Sequence, residues 1–130
     1  MRIIKFRAWD KKDKIMYYDI QKGIEFTDLS HYHFDEFLGN PNEMGDYHEW
    51  EVMQFTGLKD KNGKEIYCSD YLKCDDGKIR EVVWYNLGAG WRIGTDDNDS
   101  LFNGLGVYAE TNLEIIGNIY ENPELLTTNN

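Results

Sequence analysis

Apolar residues alternate at the start of the chain. From Ile3 to Trp9, the positions Ile4, Phe6 and Ala8 interleave with Ile3, Lys5, Arg7 and Trp9, the period of a half-buried strand with one basic face. Asp10-Lys11-Lys12-Asp13-Lys14 is a polar turn, and Ile15 to Ile20 is a second strand, so the pair predicts a hairpin. Gly23 breaks it, and Ile24 to Phe26 predict a short strand. Between Ser30 and Leu38 the apolar positions 34, 37 and 38 take helical spacing, and Gly39 suits the residue just past a helix. Asn40 to Glu49 is polar, contains Pro41 and Gly45, and marks an exposed loop and a boundary.

After Trp50 the period returns to that of strands. Expected strands cover 51–55, 70–74, 79–85, 91–93 and 113–119. Trp84 is expected in the core. Asn62-Gly63 predicts a two-residue type I′ turn, because both central residues of that turn need φ > 0. Asp75-Asp76-Gly77 and Gly88-Ala89-Gly90 are further turns, and Asn122-Pro123 opens a terminal helical turn with Asn at the N-cap. Residues 127–130 are expected to fray. Short strands joined by Gly and Asn-Gly turns argue a small barrel.

Composition narrows the picture. The chain of 130 residues is 41% hydrophobic, with nine Tyr, six Phe and four Trp, enough for a packed domain. It has neither an apolar run of membrane-spanning length nor a leader pattern at Met1–Asp10, so a cytoplasmic protein with no membrane partner is expected. Net charge is −10. Residues 1–22 hold seven basic and three acidic side chains, a net of +4, which leaves −14 on the rest. An acidic surface repels nucleic-acid phosphates, so DNA binding is not expected.

Candidate chemistry is sparse. His31, His33 and Asp35 are spaced i, i+2, i+4. On a strand they would share a face and could ligate a metal; on a helix they would not converge. The residues after them favour a helix, so no metal site is expected. Cys68 and Cys74 lack a second ligand pair at zinc spacing and are expected as free thiols. Asp35-Glu36 and Asp46 with Glu49 are carboxylate pairs of the kind that usually lie on solvated surfaces. Asp96-Asp97-Asn98-Asp99-Ser100 fails as a calcium loop, because positions six and twelve are Leu101 and Val107 where Gly and Glu are needed. Gly88-x-Gly90 and Gly104-x-Gly106 have no phosphate-loop context. No nucleophile stands in a catalytic motif. No catalytic, cofactor-binding or metal residue is assigned, and no cofactor is expected.

One resemblance covers nearly the whole chain. Thr56-Gly57-Leu58-Lys59-Asp60 with Asn62-Gly63-Lys64-Glu65-Ile66-Tyr67, flanked by Ile4-Lys5-Phe6-Arg7-Ala8-Trp9-Asp10 and by Ile116-Gly117-Asn118-Ile119-Tyr120-Glu121-Asn122-Pro123, resembles the YopX family, small proteins of phages and prophages in Gram-positive bacteria. The family's usual Glu-Gly after Ile-Tyr is Cys68-Ser69 here, which puts a Ser where φ > 0 favours Gly. The resemblance implies an SH3-like barrel and a phage origin, and no activity. The expected fold class is therefore mainly β (α+β): an N-terminal hairpin with a short helix and acidic loop at 1–49, an SH3-like barrel at 50–123, and a tail at 124–130. The expected function is non-enzymatic: an interaction module for a host or phage protein, able to form homo-oligomers. Two alternatives are a nucleic-acid-linked accessory, acting through the basic hairpin or as an acidic DNA mimic, and a metal-dependent hydrolase built on His31 and His33.

Overall fold

The structure, a computed structural model, describes residues 3–25, 31–39, 49–85, 90–93 and 112–128. The described residues are mainly β, with a short α-helix and two 3-10 turns. Contacts divide the chain into two compact units, Met1–Gln54 and Phe55–Asn130. The expected 40–49 loop lies almost wholly outside the described residues.

In the first unit, β1 (Phe6–Asp10) pairs antiparallel with β2 (Ile15–Tyr18) on one side and with the first half of β5 (Trp50–Lys59) on the other. The predicted hairpin is present. Asp10 closes its turn: Oδ1 accepts the N–H groups of Lys12 (2.9 Å) and Asp13 (3.1 Å), and Lys14 takes φ 60°. A 3-10 turn at Ile20–Lys22 leads to a small ribbon of β3 (Ile24–Glu25) and β4 (His31–Tyr32), then to α1 (Phe34–Phe37). The helix is shorter than its apolar spacing predicts. His31 and Tyr32 are held in the ladder opposite Glu25 and Ile24, and His33 is still extended, so helical backbone begins only at Phe34. Gly39 ends it at φ 98°, the left-handed position expected of it.

The core of this unit is aromatic. Ala8, Ile20 and Phe37 are buried at its centre, ringed by Phe6, Tyr17, Tyr32, Phe34 and Trp50. The small Ala8 leaves room for rings: Phe37 and Trp50 stand 4.6 Å apart, and Trp50 meets Tyr17 and Tyr32 nearly edge-on at 5.8 Å each. The opposite face of β1 is covered too. Alternation places Arg7 on a solvated basic face, but Arg7 is only 3% exposed; its Nε donates to Met53 Sδ at 3.4 Å and its guanidinium lies 5.9 Å from the centre of the Tyr18 ring. The long side chain is buried along its stem and over a ring, as arginine allows.

In the second unit, the latter half of β5 pairs with β6 (Glu65–Tyr67). Strands β7 (Asp70–Lys73), β8 (Ile79–Tyr85), β9 (Gly90–Ile93) and β10 (Glu114–Asn118) form an antiparallel sheet in the order β10-β7-β8-β9. Among the described residues no ladder joins β6 to that sheet, so the described strands are mainly β without a closed ring. Its main cluster is aliphatic, Ile66, Leu72, Val82, Ile93 and Leu113 with the Cys74 thiol, and Phe55, Tyr67 and Tyr71 are buried as well, with the Phe55 and Tyr67 rings 5.6 Å apart. A 3-10 helix, Pro123–Thr128, ends the described chain.

Two expectations are corrected in this unit. Trp84 is not core. It shares a face of β8 with Val82, but Val82 opposite Ile93 is the last buried pair; Trp84, opposite Trp91, lies one pair further out and is 45% exposed. Asn62-Gly63 is not a type I′ turn. Gly63 has φ 81°, but Asn62 does not share the positive φ that turn requires. Instead the Gly63 N–H bonds to Asp60 O (3.0 Å) and the Asp60 N–H to Lys64 O (2.8 Å). This is a four-residue turn, Asp60–Gly63, whose last residue is the left-handed glycine. The Cys74–Lys78 turn repeats it, with Gly77 at φ 82° and matching bonds of 3.0 and 2.9 Å.

Candidate interaction surface

The central run from Thr56 to Lys73 is fully engaged in holding backbone. The β5–β6 register shifts between Phe55 and Lys59, and Gly57 takes φ 88° there. Thr56 repairs the interrupted ladder: its Oγ1 donates to Ile66 O (2.7 Å) and accepts the Leu58 N–H (3.1 Å). Asp60, buried, accepts three backbone N–H groups. Oδ1 takes those of Asn62 and Lys64, and Oδ2 takes that of Ile115 on β10, each at 2.9 Å. The Lys61 N–H adds a bond to Leu113 O (2.9 Å). One carboxylate thus ties the turn to a strand 55 residues away in sequence. Asp70 Oδ2 accepts the Tyr67 N–H (2.8 Å) and fixes the bend there.

The flanking pieces behave alike. Ser69 takes φ 74°, so the family's glycine position carries a serine in left-handed backbone. It is held there because its N–H bonds to Val82 O (2.9 Å) and its carbonyl accepts the Ile119 N–H (3.1 Å). Near the C-terminus, Asn118 Oδ1 accepts the N–H groups of Tyr120 (3.0 Å) and Glu121 (2.8 Å). A Cβ on Gly117 would lie 2.7 Å from Asn122 Cγ, so only glycine fits. Asn122 uses its side chain to accept the Asn118 N–H (3.3 Å) rather than to cap the terminal turn.

The candidate ligands separate. His31 and His33 come together with ring centres 4.6 Å apart, whereas Asp35 is exposed on α1. Among the described residues no three His, Cys, Asp or Glu side chains gather as a metal site. Cys68 is partly buried, Cys74 is buried, and the two are not joined in a disulfide. The basic hairpin is partly neutralised. Lys11 Nζ lies 2.6 Å from Glu51 and 3.8 Å from Glu49, and the hydrogen bond and charge of Glu51 push the Lys11 pKa up. Glu36 is on α1 beside Asp35, and Gly90 opens β9. Asp46, Gly88, residues 96–100, Gly104 and Gly106 lie outside the described residues.

Among the exposed charged side chains stand a few large apolar ones. Trp84 and Trp91 pack edge to face with ring centres 5.1 Å apart, and Trp84 presents nearly half its surface. In the first unit a cleft of about 340 Å³ has Phe37, Trp50 and Val52 in its lining with Leu38, and Lys11 and Glu49 beside them. The exposure of Trp84 escapes a periodicity argument, because alternation assigns a face and says nothing of where along the strand the core stops. The signal available in the sequence is its place near the end of β8, just before the glycine-rich turn.

These features define a small, mainly β protein whose buried Asp60 and Asn118 serve its own turns and whose surface presents the Trp84 ring. The chain belongs to the YopX family: the family model described as "YopX protein" matches residues 5–127. Among solved structures it is similar to one titled "Crystal structure of protein EF1440 from Enterococcus faecalis", at 26% identity and a TM-score of 0.63, over 97% of this chain and 99% of that one. A search of the curated proteins found no match.

Proposed function

We propose that this protein is a non-enzymatic interaction module of phage or prophage origin, working in the cytoplasm of a bacterial host by binding a host or phage protein. The observation that carries this reading is Trp84: a large ring, 45% exposed, braced edge-on by Trp91 at the end of a strand whose core is already complete. Tryptophan is enriched where partner proteins bind, because one rigid ring supplies much contact area for little lost conformational freedom. The alternative of direct DNA binding is less favoured, since Arg7 is buried and Lys11 is held by two glutamates. No helix among the described residues is long and apolar enough to cross a membrane.

The test starts with capture of host proteins on the immobilised chain, followed by affinity measurement with the purified partner. Trp84→Ala should weaken that affinity at least about thirtyfold, the scale of an interface hot spot, while the circular dichroism spectrum stays that of the wild type. Wild-type affinity in a folded Trp84→Ala variant would assign the binding elsewhere.

A further inference from the structure

The β3–β4 ribbon carries two histidines on one side. His31 lies in β4, and His33 follows in extended backbone with φ −82° and ψ 159°. Side chains two residues apart on an extended chain leave it on the same side. The structure bears this out: the imidazole centres are 4.6 Å apart with the rings at 64°, and both residues are exposed. The helix that would have turned them apart begins only at Phe34.

A third donor stands across the ladder. Glu25 is directly opposite His31 in the antiparallel pairing, where facing Cβ atoms are about 4.5–5.5 Å apart. It too is exposed. We propose that His31 and His33 chelate a late first-row divalent ion, Zn²⁺, Ni²⁺ or Cu²⁺, and that Glu25 swings across the ribbon to become the third ligand.

The donor set selects this class of ion. Imidazole nitrogens suit zinc, nickel and copper, whereas calcium and magnesium take oxygen ligands almost exclusively. Asp35 is not part of the set, because it lies within α1 beyond the extended segment. Among the described residues no three such side chains stand close enough to hold an ion together, so Glu25 has to move to join the two imidazoles, and water would complete the coordination. An open site of this kind binds without holding up the fold, unlike a closed structural zinc site. It shares no residue with the Trp84 proposal, so either can fail alone.

Isothermal titration of the full chain with ZnCl₂, NiCl₂ and CuCl₂ at neutral pH, in a buffer that does not chelate, tests the site. One ion per chain is expected, with copper bound most tightly, the order that divalent ions follow at a nitrogen site. Losing a group that merely orients a ligand costs about 10–100-fold in affinity, so His31→Ala and His33→Ala should each cost at least about tenfold. Glu25→Gln should also weaken binding, and His48→Ala should not. Because the three donors are exposed, thermal melts without metal should be unchanged in every variant. Retained affinity in the His31→Ala/His33→Ala double variant, dependence on His48, or no saturable binding by the wild type would overturn the assignment. An unaffected Glu25→Gln would remove Glu25 from it.

Discussion

The two units reach stability by different means. The first packs rings: Phe37 and Trp50, with Tyr17, Tyr32, Phe6 and Phe34, close around the small Ala8. The second clusters aliphatic side chains beside one buried ring pair, Phe55 and Tyr67, and also depends on buried polar side chains at its turns: Asp60 and Asn118 accept backbone N–H groups that the ladders leave over. Ring packing places stability in apolar area and shape. A buried carboxylate places it in a few charge-assisted hydrogen bonds, stronger than neutral ones but dependent on one residue. The first unit should therefore respond most to lost volume and the second to a lost acceptor.

The largest effect is expected where volume is lost. Phe37→Ala opens a cavity beside Trp50 and should cost about 3–5 kcal/mol, read as a lower urea midpoint. Asp60→Ala should follow at about 3 kcal/mol. It removes three hydrogen bonds to a charged acceptor, two of them to exposed turn N–H groups that water can serve, and leaves the Ile115 N–H on β10 without its carboxylate. If Asp60→Ala unfolded at the wild-type midpoint, the polar account of the second unit would fail.

Stability should vary with pH in two opposing limbs. Arg80, whose side chain is buried, bonds both Asp76 oxygens (2.9 and 2.7 Å) and holds that carboxyl at about 2, below its ordinary 3.8. A depressed carboxyl stabilises above the unfolded value and loses that contribution as pH falls from about 4 towards 2. Burial pushes Glu81 the other way, so its charge disfavours folding and stability rises as pH falls through its raised value. Melting temperature should therefore peak in mild acid. Asp76→Asn should flatten the lower limb and Glu81→Gln the upper one. Because the Asp76 side chain is 39% exposed, salt should weaken its limb.

The smallest of these effects has the opposite sign. Ser69 sits in left-handed backbone at φ 74°, a conformation that costs a non-glycine residue about 1–2 kcal/mol. Glycine relieves that strain but frees the unfolded chain by about 0.5–1 kcal/mol. Ser69→Gly should therefore stabilise by about 0.5 kcal/mol and raise the melting temperature by about 2 °C. A lower melting temperature would mean that the Ser69 side chain contributes more than its backbone strain costs.

Most strands were legible in the sequence, and the residues that mark the family were legible as turn residues. Alternation located β1, β2, β7, β8 and β10 to within a few residues, because pleated strands repeat every two residues whatever surrounds them. The strain at Ser69 was legible too, from a glycine replaced. Three things were not. The 60–64 turn is shaped by Asp60 and not by the Asn-Gly pair, and Asp60 is also tied to Ile115, a partner no local window contains. The helix lost its first turn to a ladder with Glu25, again a tertiary pairing. Trp84 and Arg7 exchanged places relative to expectation, the tryptophan outside and the arginine inside, because periodicity fixes the face of a strand and not how far the core extends along it.

Equilibrium urea unfolding of Trp84→Ala beside Asp60→Ala tests most directly whether the family's marked residues hold the fold while the exposed ring is free for binding. Trp84→Ala should lose about 2 kcal/mol, the edge contact with Trp91 and half a ring's burial, against about 3 for Asp60→Ala. A loss of about 3–5 kcal/mol at Trp84, the cost of removing a buried tryptophan, with Asp60→Ala near wild type, would contradict it.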